Sequence, residues 1–229
     1  MALLLHIDTS GSPGLAMLAK DGKIISSKSS EGEREHAAHI NGMIADVLEE
    51  AKVGFGDLNA ICVCNGPGSY TGLRIGLSTA KGLCYALSIP LITHNKLELL
   101  LASCKFEKQD QENLMALIPA RAGEYFVAAE GENLEIKPCH LPQSELEILI
   151  KESLENTMIT GIIPEDFQEF LKSNSVSVSF QEKAHFEVAV WASLSNARFL
   201  ENNFANLAYC EPEYLKSAYI LARSDGKNG

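Results

Sequence analysis

The stretch Gly66-Pro67-Gly68-Ser69-Tyr70-Thr71-Gly72-Leu73-Arg74-Ile75-Gly76 constrains this chain more than any other. It follows Asn59-Ala60-Ile61-Cys62-Val63-Cys64, which predicts a strand. It opens Thr71 to Leu87, where apolar residues recur at helical spacing. Gly66, Gly68 and Gly72 admit backbone angles and close approaches that a Cβ would block. Ser69 and Thr71 are residue types that cap a helix start. A glycine turn at a helix N-terminus leaves amide N–H groups that suit an anion. The spacing is G-x-G-x-x-x-G, one residue off the dinucleotide fingerprint, and no Gly-Lys-Ser/Thr follows. A tight structural turn is therefore the stronger reading, with a phosphate cradle as the other.

The 229 residues can bury one large core or two small lobes. Apolar residues make up 46% and charged residues 21%, which argues against a disordered or fibrous chain. The formal charge of −11 argues against gripping DNA or RNA alone, because polyanion binding is driven through cations. No apolar run is long enough to span a membrane. The N-terminus shows no basic region followed by a cleavage site, so a cytoplasmic location is expected. Of six cysteines none is in C-x-x-C spacing, and reduced thiols are expected.

Leu3–Asp8, Leu15–Leu18 and Lys23–Ser26 predict an antiparallel meander, with Asp8-Thr9-Ser10 at its first turn and Asp21-Gly22 at its second. Glu31–Arg34 reads as a loop. Glu35–Ala51 reads as a helix with an apolar face of Ile40, Met43, Ile44, Val47, Leu48 and Ala51. His36 and His39 on it make at most half a metal site. In the helix 71–87, Leu73, Leu77, Ala80, Cys84 and Leu87 share a face beside a small-residue stripe of Gly72, Gly76 and Thr79. Pro90–Thr93 predicts a strand, Asn95–Cys104 a helix, and 105–113 a polar connector. A second meander follows in Leu114–Ile118, Tyr125–Ala129 and Leu134–Lys137. Then come a helix Ser144–Ser153, a strand Met158–Ile163, a helix Glu165–Lys172, a strand Ser175–Ser179 and a helix Phe186–Leu200. Ser224–Gly229 reads as a disordered end. The two halves repeat one theme, a weak hint of duplication.

Ile7-Asp8-Thr9-Ser10, the glycine stretch from Gly66 to Gly76, and Glu211-Pro212-Glu213-Tyr214-Leu215 together resemble the TsaB (YeaZ) family. The resemblance is strong over residues 1–100 and looser beyond. It implies an α/β fold of two lobes, that of actin, sugar kinases and Hsp70 (the ASKHA fold). It implies a part in making N6-threonylcarbamoyladenosine at position 37 of tRNAs that read codons starting with adenine. In that family TsaB is a platform for its catalytic paralogue TsaD, with the ATPase TsaE as third component, and TsaB also pairs with itself. Contact with tRNA would come only through the complex, and neither DNA nor a membrane is a partner. TsaD carries His-x-x-x-His as metal ligands. The matching positions here are Asn95 and Leu99, and leucine cannot ligate, so no metal and no catalytic residue is expected. The neighbouring His94 reads as structural.

Asp8, Thr9, Ser10, Gly66 and Gly68 are the candidates for a vestigial nucleotide site. The second lobe has Pro119-Ala120-Arg121 where relatives often carry Asp-Ala-Arg, so it lacks the facing acid. Arg121 and Glu124 read as a local ion pair or lobe contact. No cofactor is expected, with weak ATP or ADP binding confined to the shared complex. The expected lobes are 1–101 and 102–184, with 185–229 packing back on the first. The surplus apolar face and the small-residue stripe suggest a partner interface of Ile40, Met43, Ile44, Val47, Leu73, Gly76, Leu77 and Ala80. The rival readings are an ATP-dependent small-molecule kinase of the same fold and a metallopeptidase.

Overall fold

The computed structural model describes residues 1–30, 36–107, 113–121, 123–132, 134–153, 157–173 and 178–216. The expected loop 31–34 and the expected disordered end 224–229 lie outside them. The first sheet opens with β1 (Leu3–Asp8), β2 (Leu15–Lys20) and β3 (Lys23–Ser29), an antiparallel meander. Asp21 and Gly22 join β2 to β3 with φ of 50° and 77°, the positive pair that a tight hairpin turn requires. After α1 (His36–Ala51), β4 (Ala60–Gly66) pairs in parallel with β1. After α2 (Tyr70–Leu87), β5 (Leu91–Asn95) pairs in parallel with β4, giving the order β3-β2-β1-β4-β5.

α3 (Lys96–Glu107) leads to the second sheet. There β6 (Asn113–Pro119), β7 (Glu124–Glu130) and β8 (Glu135–Pro142) form another meander. α4 (Gln143–Ser153), β9 (Thr157–Gly161), α5 (Glu165–Ser173) and β10 (Val178–Glu182) follow, in the order β10-β9-β6-β7-β8. Read from its meander, the second sheet repeats the strand order of the first. The duplication that the sequence only hinted at is explicit in the topology. α6 (Val188–Leu200) then returns to the first sheet, with Trp191 packed against His6.

Every residue of β1 and β4 is buried, as strands covered on both faces must be. One face of the first sheet packs Leu5, Ile7, Ile61 and Val63 against α1 and α2. Its other face packs Leu4, Met17, Cys62 and Ile92 against α3 and α6. α3 also rests on the second sheet, where Leu100 and Cys104 share a core with Leu114, Ala116 and Ala128. The far face of the second sheet is covered by α4 and α5 through Leu146, Ile150, Phe167 and Leu171.

Several elements differ in extent from expectation. α3 runs to Glu107 rather than Cys104, and Leu101, Ser103 and Cys104 within it are buried between the lobes. β8 runs on to Pro142, beyond the expected 134–137. It is an edge strand, where proline is tolerated. β10 lies at Val178–Glu182 rather than 175–179, of which 175–177 fall outside the described residues.

Candidate functional site

The parallel pairing of β1 with β4 sets two turns side by side, Asp8–Ser10 and Gly66–Ser69. The Asp8 carboxylate accepts the Ser10 N–H at 2.7 Å. The Ser10 carbonyl accepts the Ser69 N–H at 2.7 Å, and the Thr9 hydroxyl donates to the Gly72 carbonyl at 2.7 Å. The glycines permit this interlock. A Cβ would lie 2.1 Å from the Ser10 oxygen if placed on Gly68, and 1.9 Å from the Thr9 oxygen on Gly72. On Gly76 it would lie 2.3 Å from the Thr9 hydroxyl. Ser69 is the N-cap of α2 and accepts from the Gly72 N–H at 3.3 Å; Thr71, the other expected cap, is already inside the helix. The Leu73 N–H donates to the Ser69 carbonyl. Two of the amides at this helix start, those of Ser69 and Gly72, therefore have partners outside the helix ladder, and the interlocked backbones make a tight structural turn.

The stripe Gly72–Gly76 thus meets the first turn, not another helix. The expected interface side chains are corrected with it. Ile40, Met43, Ile44 and Val47 of α1 are buried against the sheet, as are Leu77 and Ala80 of α2; Gly76 is buried on Thr9, and Leu73 is buried at the edge of the cleft beside Gly66. The apparent surplus is taken up by the chain itself: Ala205, Leu207 and Cys210 pack on the same cluster. The outer faces of the two helices carry instead Asn41, Gly42, Ala45, Ser78, Gly82 and Tyr85, all exposed.

At the end of β5, His94 is buried and its Nε2 lies 3.0 Å from the Ser195 hydroxyl. Burial pushes the His94 imidazole down to about 2 and that of His6 to about 4. Asn95, at the first position where the resemblance expects a ligand, accepts the Leu97 N–H at 2.8 Å and donates to the Glu213 carboxylate at 2.9 Å. Leu99, at the second, is buried in the core. Among the described residues no three His, Cys, Asp or Glu side chains are grouped to hold a metal. His39 is exposed on α1, and the His36 side chain lies outside the described residues.

Two features escaped the sequence reading. Lys96 is only 8% exposed, and its ammonium donates to the Ser10 hydroxyl at 3.2 Å. Its signal was a lysine inside an otherwise apolar helix start. The motif at 211–215 was noticed without a role. Its backbone lies on Asn65, where the Glu213 N–H donates to the Asn65 carbonyl and the Asn65 side chain donates to the Glu211 carbonyl. A Cβ on Gly66, whose φ is +129°, would sit 2.9 Å from the Glu213 oxygen. The Tyr214 ring stacks on Tyr70 at 5.0 Å, and the Arg74 guanidinium lies 4.2 Å over Tyr70 while donating to the Tyr214 hydroxyl. Tyr70, Glu213 and Tyr214 help wall a cleft of about 730 Å³, lined on the other side by Ile118, Arg121 and Phe126 of the second lobe. Glu124 pairs with Lys216 and with His140, while Arg121 is exposed to the cleft.

This fold brings with it the question of a metal-bound nucleotide, and the residues do not fit one. Asp8 is committed to the Ser10 amide, and the Lys96 ammonium stands on the same turn, where it would repel a divalent cation. The facing turn, Pro119 to Arg121, offers no carboxylate. Asp8, Thr9, Ser10, Gly66 and Gly68 are brought together, but Gly66 and Gly68 serve the packing of the tail and the first turn. Cys64 lies 3.6 Å from the Ser10 hydroxyl. Burial raises its thiol to about 12, so it is protonated at neutral pH and no nucleophile.

Two sheets of one strand order, meeting at a cleft beside the meander turns, define the two-lobed α/β class of actin, the sugar kinases and Hsp70. A candidate N-acetylmannosamine kinase from Listeria monocytogenes superposes with a TM-score of 0.55 at 13% identity, over 88% of this chain and 99% of that one. YeaZ from Pseudomonas aeruginosa superposes with a TM-score of 0.73 at 23% identity, over 94% of this chain and all of that one. The family model for TsaD, tRNA N6-adenosine threonylcarbamoyltransferase, matches residues 23–141. The tRNA threonylcarbamoyladenosine biosynthesis protein TsaB of Buchnera aphidicola (from Acyrthosiphon pisum) is 29% identical over 66% of this chain and 69% of its own length. TsaB of Escherichia coli K12 is 36% identical over 42% of this chain, a match that spans only 41% of that relative. The chain belongs to the TsaB (YeaZ) family, within the wider set that the TsaD model describes.

Proposed function

We propose that this chain is a non-catalytic partner subunit of the system that makes N6-threonylcarbamoyladenosine in tRNA, supporting a TsaD-like catalytic subunit. The state of the ligand positions carries this reading. Where the resemblance places two metal-binding histidines, Asn95 caps α3 and anchors the tail, and Leu99 is core. A subunit so built supplies surface rather than chemistry. A TsaE-like ATPase and a second copy of the chain complete the proposed set of partners, and tRNA is met only through the complex. The chain needs no cofactor of its own, and ATP or ADP is held weakly if the complex shapes a site. If the first-lobe helices meet a partner, they do so by their outer faces around Gly42, Ala45, Gly82 and Tyr85, since the inner faces are spent on the core. The remaining proposal is a cytoplasmic location; among the described residues no helix is long and apolar enough to cross a membrane.

The test is reconstitution. Modified adenosine is measured by mass in mixtures of substrate tRNA with TsaD, TsaE and an activated threonylcarbamoyl donor, with and without this chain. Modification that needs the chain, with no turnover by the chain alone, is the expected result. Threonylcarbamoyl transfer or ATP-dependent phosphorylation of a small molecule by the isolated protein would overturn it.

A further inference from the structure

The segment Glu211–Lys216 is held like a peptide ligand. Its backbone is read by Asn65, through one N–H donated to the Asn65 carbonyl and one carbonyl accepting from the Asn65 side chain. Its side chains are read in turn. The Glu213 carboxylate accepts from Asn95 at 2.9 Å. The Tyr214 ring stacks on Tyr70, and its hydroxyl accepts from Arg74 at 2.9 Å. Leu215 packs on the core between the lobes, as do Ile118 and Phe126, and all three line the cleft. Lys216 pairs with Glu124 at the start of β7. Asn65, Tyr70, Arg74 and Asn95 belong to the first lobe, whereas Glu124, Ile118 and Phe126 belong to the second. One stretch of six residues is therefore bonded to both walls of the cleft.

Such contacts are directional. Backbone pairing supplies affinity, and spaced side-chain contacts supply specificity, as in strand-addition recognition of peptides. Gly66 is part of the receptor, since any Cβ there would press on the Glu213 carbonyl. In two-lobed proteins generally, a ligand bound between the lobes sets the angle of closure. Here the cleft lacks a fit for a metal-bound nucleotide, yet both walls are already tied together.

We infer that the surface around the glycine turn is a peptide groove whose resident occupant is the chain's own segment 211–216, and that this occupant fixes the angle between the two lobes. The inference does not depend on the proposed function. It makes the lobe angle a property of the tail, open to competition by any peptide carrying Glu-x-Glu-Tyr-Leu-Lys. A partner that displaced the tail would free the lobes to move.

The experiment is hydrogen exchange on the full chain, read at the Ser69 amide in the first lobe, the Ala120 and Glu124 amides in the second, and the β1 amides in the core. Lys216→Glu sets two carboxylates together, and Tyr214→Ala removes the stack and the hydroxyl bond. Each variant is expected to speed exchange at the three cleft amides by about tenfold, the scale of a few lost contacts, while β1 stays slow. The exchanged pair Glu124→Lys with Lys216→Glu restores slow exchange. A synthetic Glu-Pro-Glu-Tyr-Leu-Lys peptide at millimolar concentration restores it in Tyr214→Ala. Unchanged cleft amides in both variants overturn the clamp. Equal acceleration in β1 also overturns it, since the tail is then a general stabiliser. Failure of the charge exchange removes the second-lobe anchor and with it the lobe-angle claim. Failure of the peptide overturns the groove.

Discussion

The two lobes share one strand order and differ in how their turns are built. In the first, the turn after β1 and the turn after β4 press backbone on backbone. Gly68, Gly72 and Gly76 each lie where a Cβ would meet Thr9 or Ser10. In the second, the turn after β6 closes on itself, with the Glu124 N–H donating to the Arg121 carbonyl and the Ala120 N–H to the Glu124 carbonyl. Gly161 approaches Leu117 in a similar way, but α5 begins only at Glu165 and does not cover that turn. The helices differ too. α1 and α2 run to 16 and 18 residues, α4 and α5 to 11 and 9. One topology therefore supports two kinds of site surface. The first is locked from below by glycines, and the second is closed by a local turn and reached by the tail.

The largest expected effect breaks that lock. Gly72→Val puts a branched side chain where the Thr9 carbonyl lies 1.9 Å from the Cβ position. Overpacking costs about 1–3 kcal/mol when side chains can yield, and here the obstacle is backbone, so loss of the folded state is expected. Gly123→Ala is the second-lobe counterpart. Its φ of +71° is the obstacle, and nothing closer than 3.8 Å crowds the Cβ position, so it should cost about 1–2 kcal/mol. Thermal melting by circular dichroism compares them. Equal melting temperatures would show that the interlock is no tighter than the local turn.

Acid should also separate the lobes. His6 and His94 both pack edge-on against Trp191 from the first sheet. The inner face of the second sheet offers Leu114, Ala116, Ala128 and Met158 instead. Burial lowers the folded-state pKa of His6 to about 4, from an ordinary value near 6.5. Between these values the unfolded chain binds more protons, so stability is complete above about pH 6.5 and is lost as pH falls toward about 4. For His6 alone the loss at pH 5 is about 2 kcal/mol. The lone tryptophan reports it. The Trp191 emission transition should move to lower denaturant as pH falls from 7 to 5, and His6→Phe should roughly halve that dependence, since the buried His94 still titrates. An unchanged slope in the variant would place the acid-sensitive groups elsewhere.

Much of this architecture is legible from residue patterns, for particular reasons. β1, β2 and the Asp21-Gly22 hairpin follow from an apolar run and a turn pair that few other structures satisfy. α1 and α2 follow from their apolar spacing. That same spacing misled about the interface, because periodicity shows that a face is buried and not what buries it. Here the sheet and residues 205–210 do so. Asp8, Thr9, Ser10, Gly66 and Gly68 were recognisable as neighbours through the motif. The partners of Gly66 and Gly76, Glu213 and Thr9, were not, since contacts of long sequence separation leave no local trace. Lys96 was hidden for the opposite reason: a charged side chain is ordinarily solvated, and its burial depends on a turn 86 residues away.

A smaller effect tests the carboxylate that distinguishes the first turn from the second. Asp8→Ala removes an acceptor of one amide, at Ser10, and should cost about 0.5–2 kcal/mol, the range for losing a local cap. The fold and partner binding should survive, because the glycine interlock and the Lys96 contact remain. The melting temperature and the yield of modified tRNA are read together. A modest drop in the first with the second retained is expected. Abolished modification in a folded, assembled variant would assign Asp8 a chemical role and so narrow the difference between the lobes.

The smallest effect on stability is the most discriminating for the partner surface. Gly82 is exposed in the middle of α2, and nothing lies within 4 Å of its Cβ position. Glycine inside a helix costs roughly 0.5–1 kcal/mol against alanine, so Gly82→Ala should raise the melting temperature slightly. Gly82→Arg should do the same or leave it no lower than that of the native chain, since arginine is also a good helix former and meets only solvent there. If the outer face of α1 and α2 is where a partner lies, a bulky charge at Gly82 will obstruct it while alanine will not. Ile148, 56% exposed on α4, gives the second-lobe control. Self-association is followed by sedimentation and TsaD binding by calorimetry for Gly82→Arg and Ile148→Arg. Weakened association in the first alone, at a melting temperature no lower than that of the native chain, places the partner on the first lobe. Equal binding by both variants would move the interface off these helices. Weakening in Ile148→Arg alone would place it on the second lobe, which would then be more than a trimmed repeat of the first.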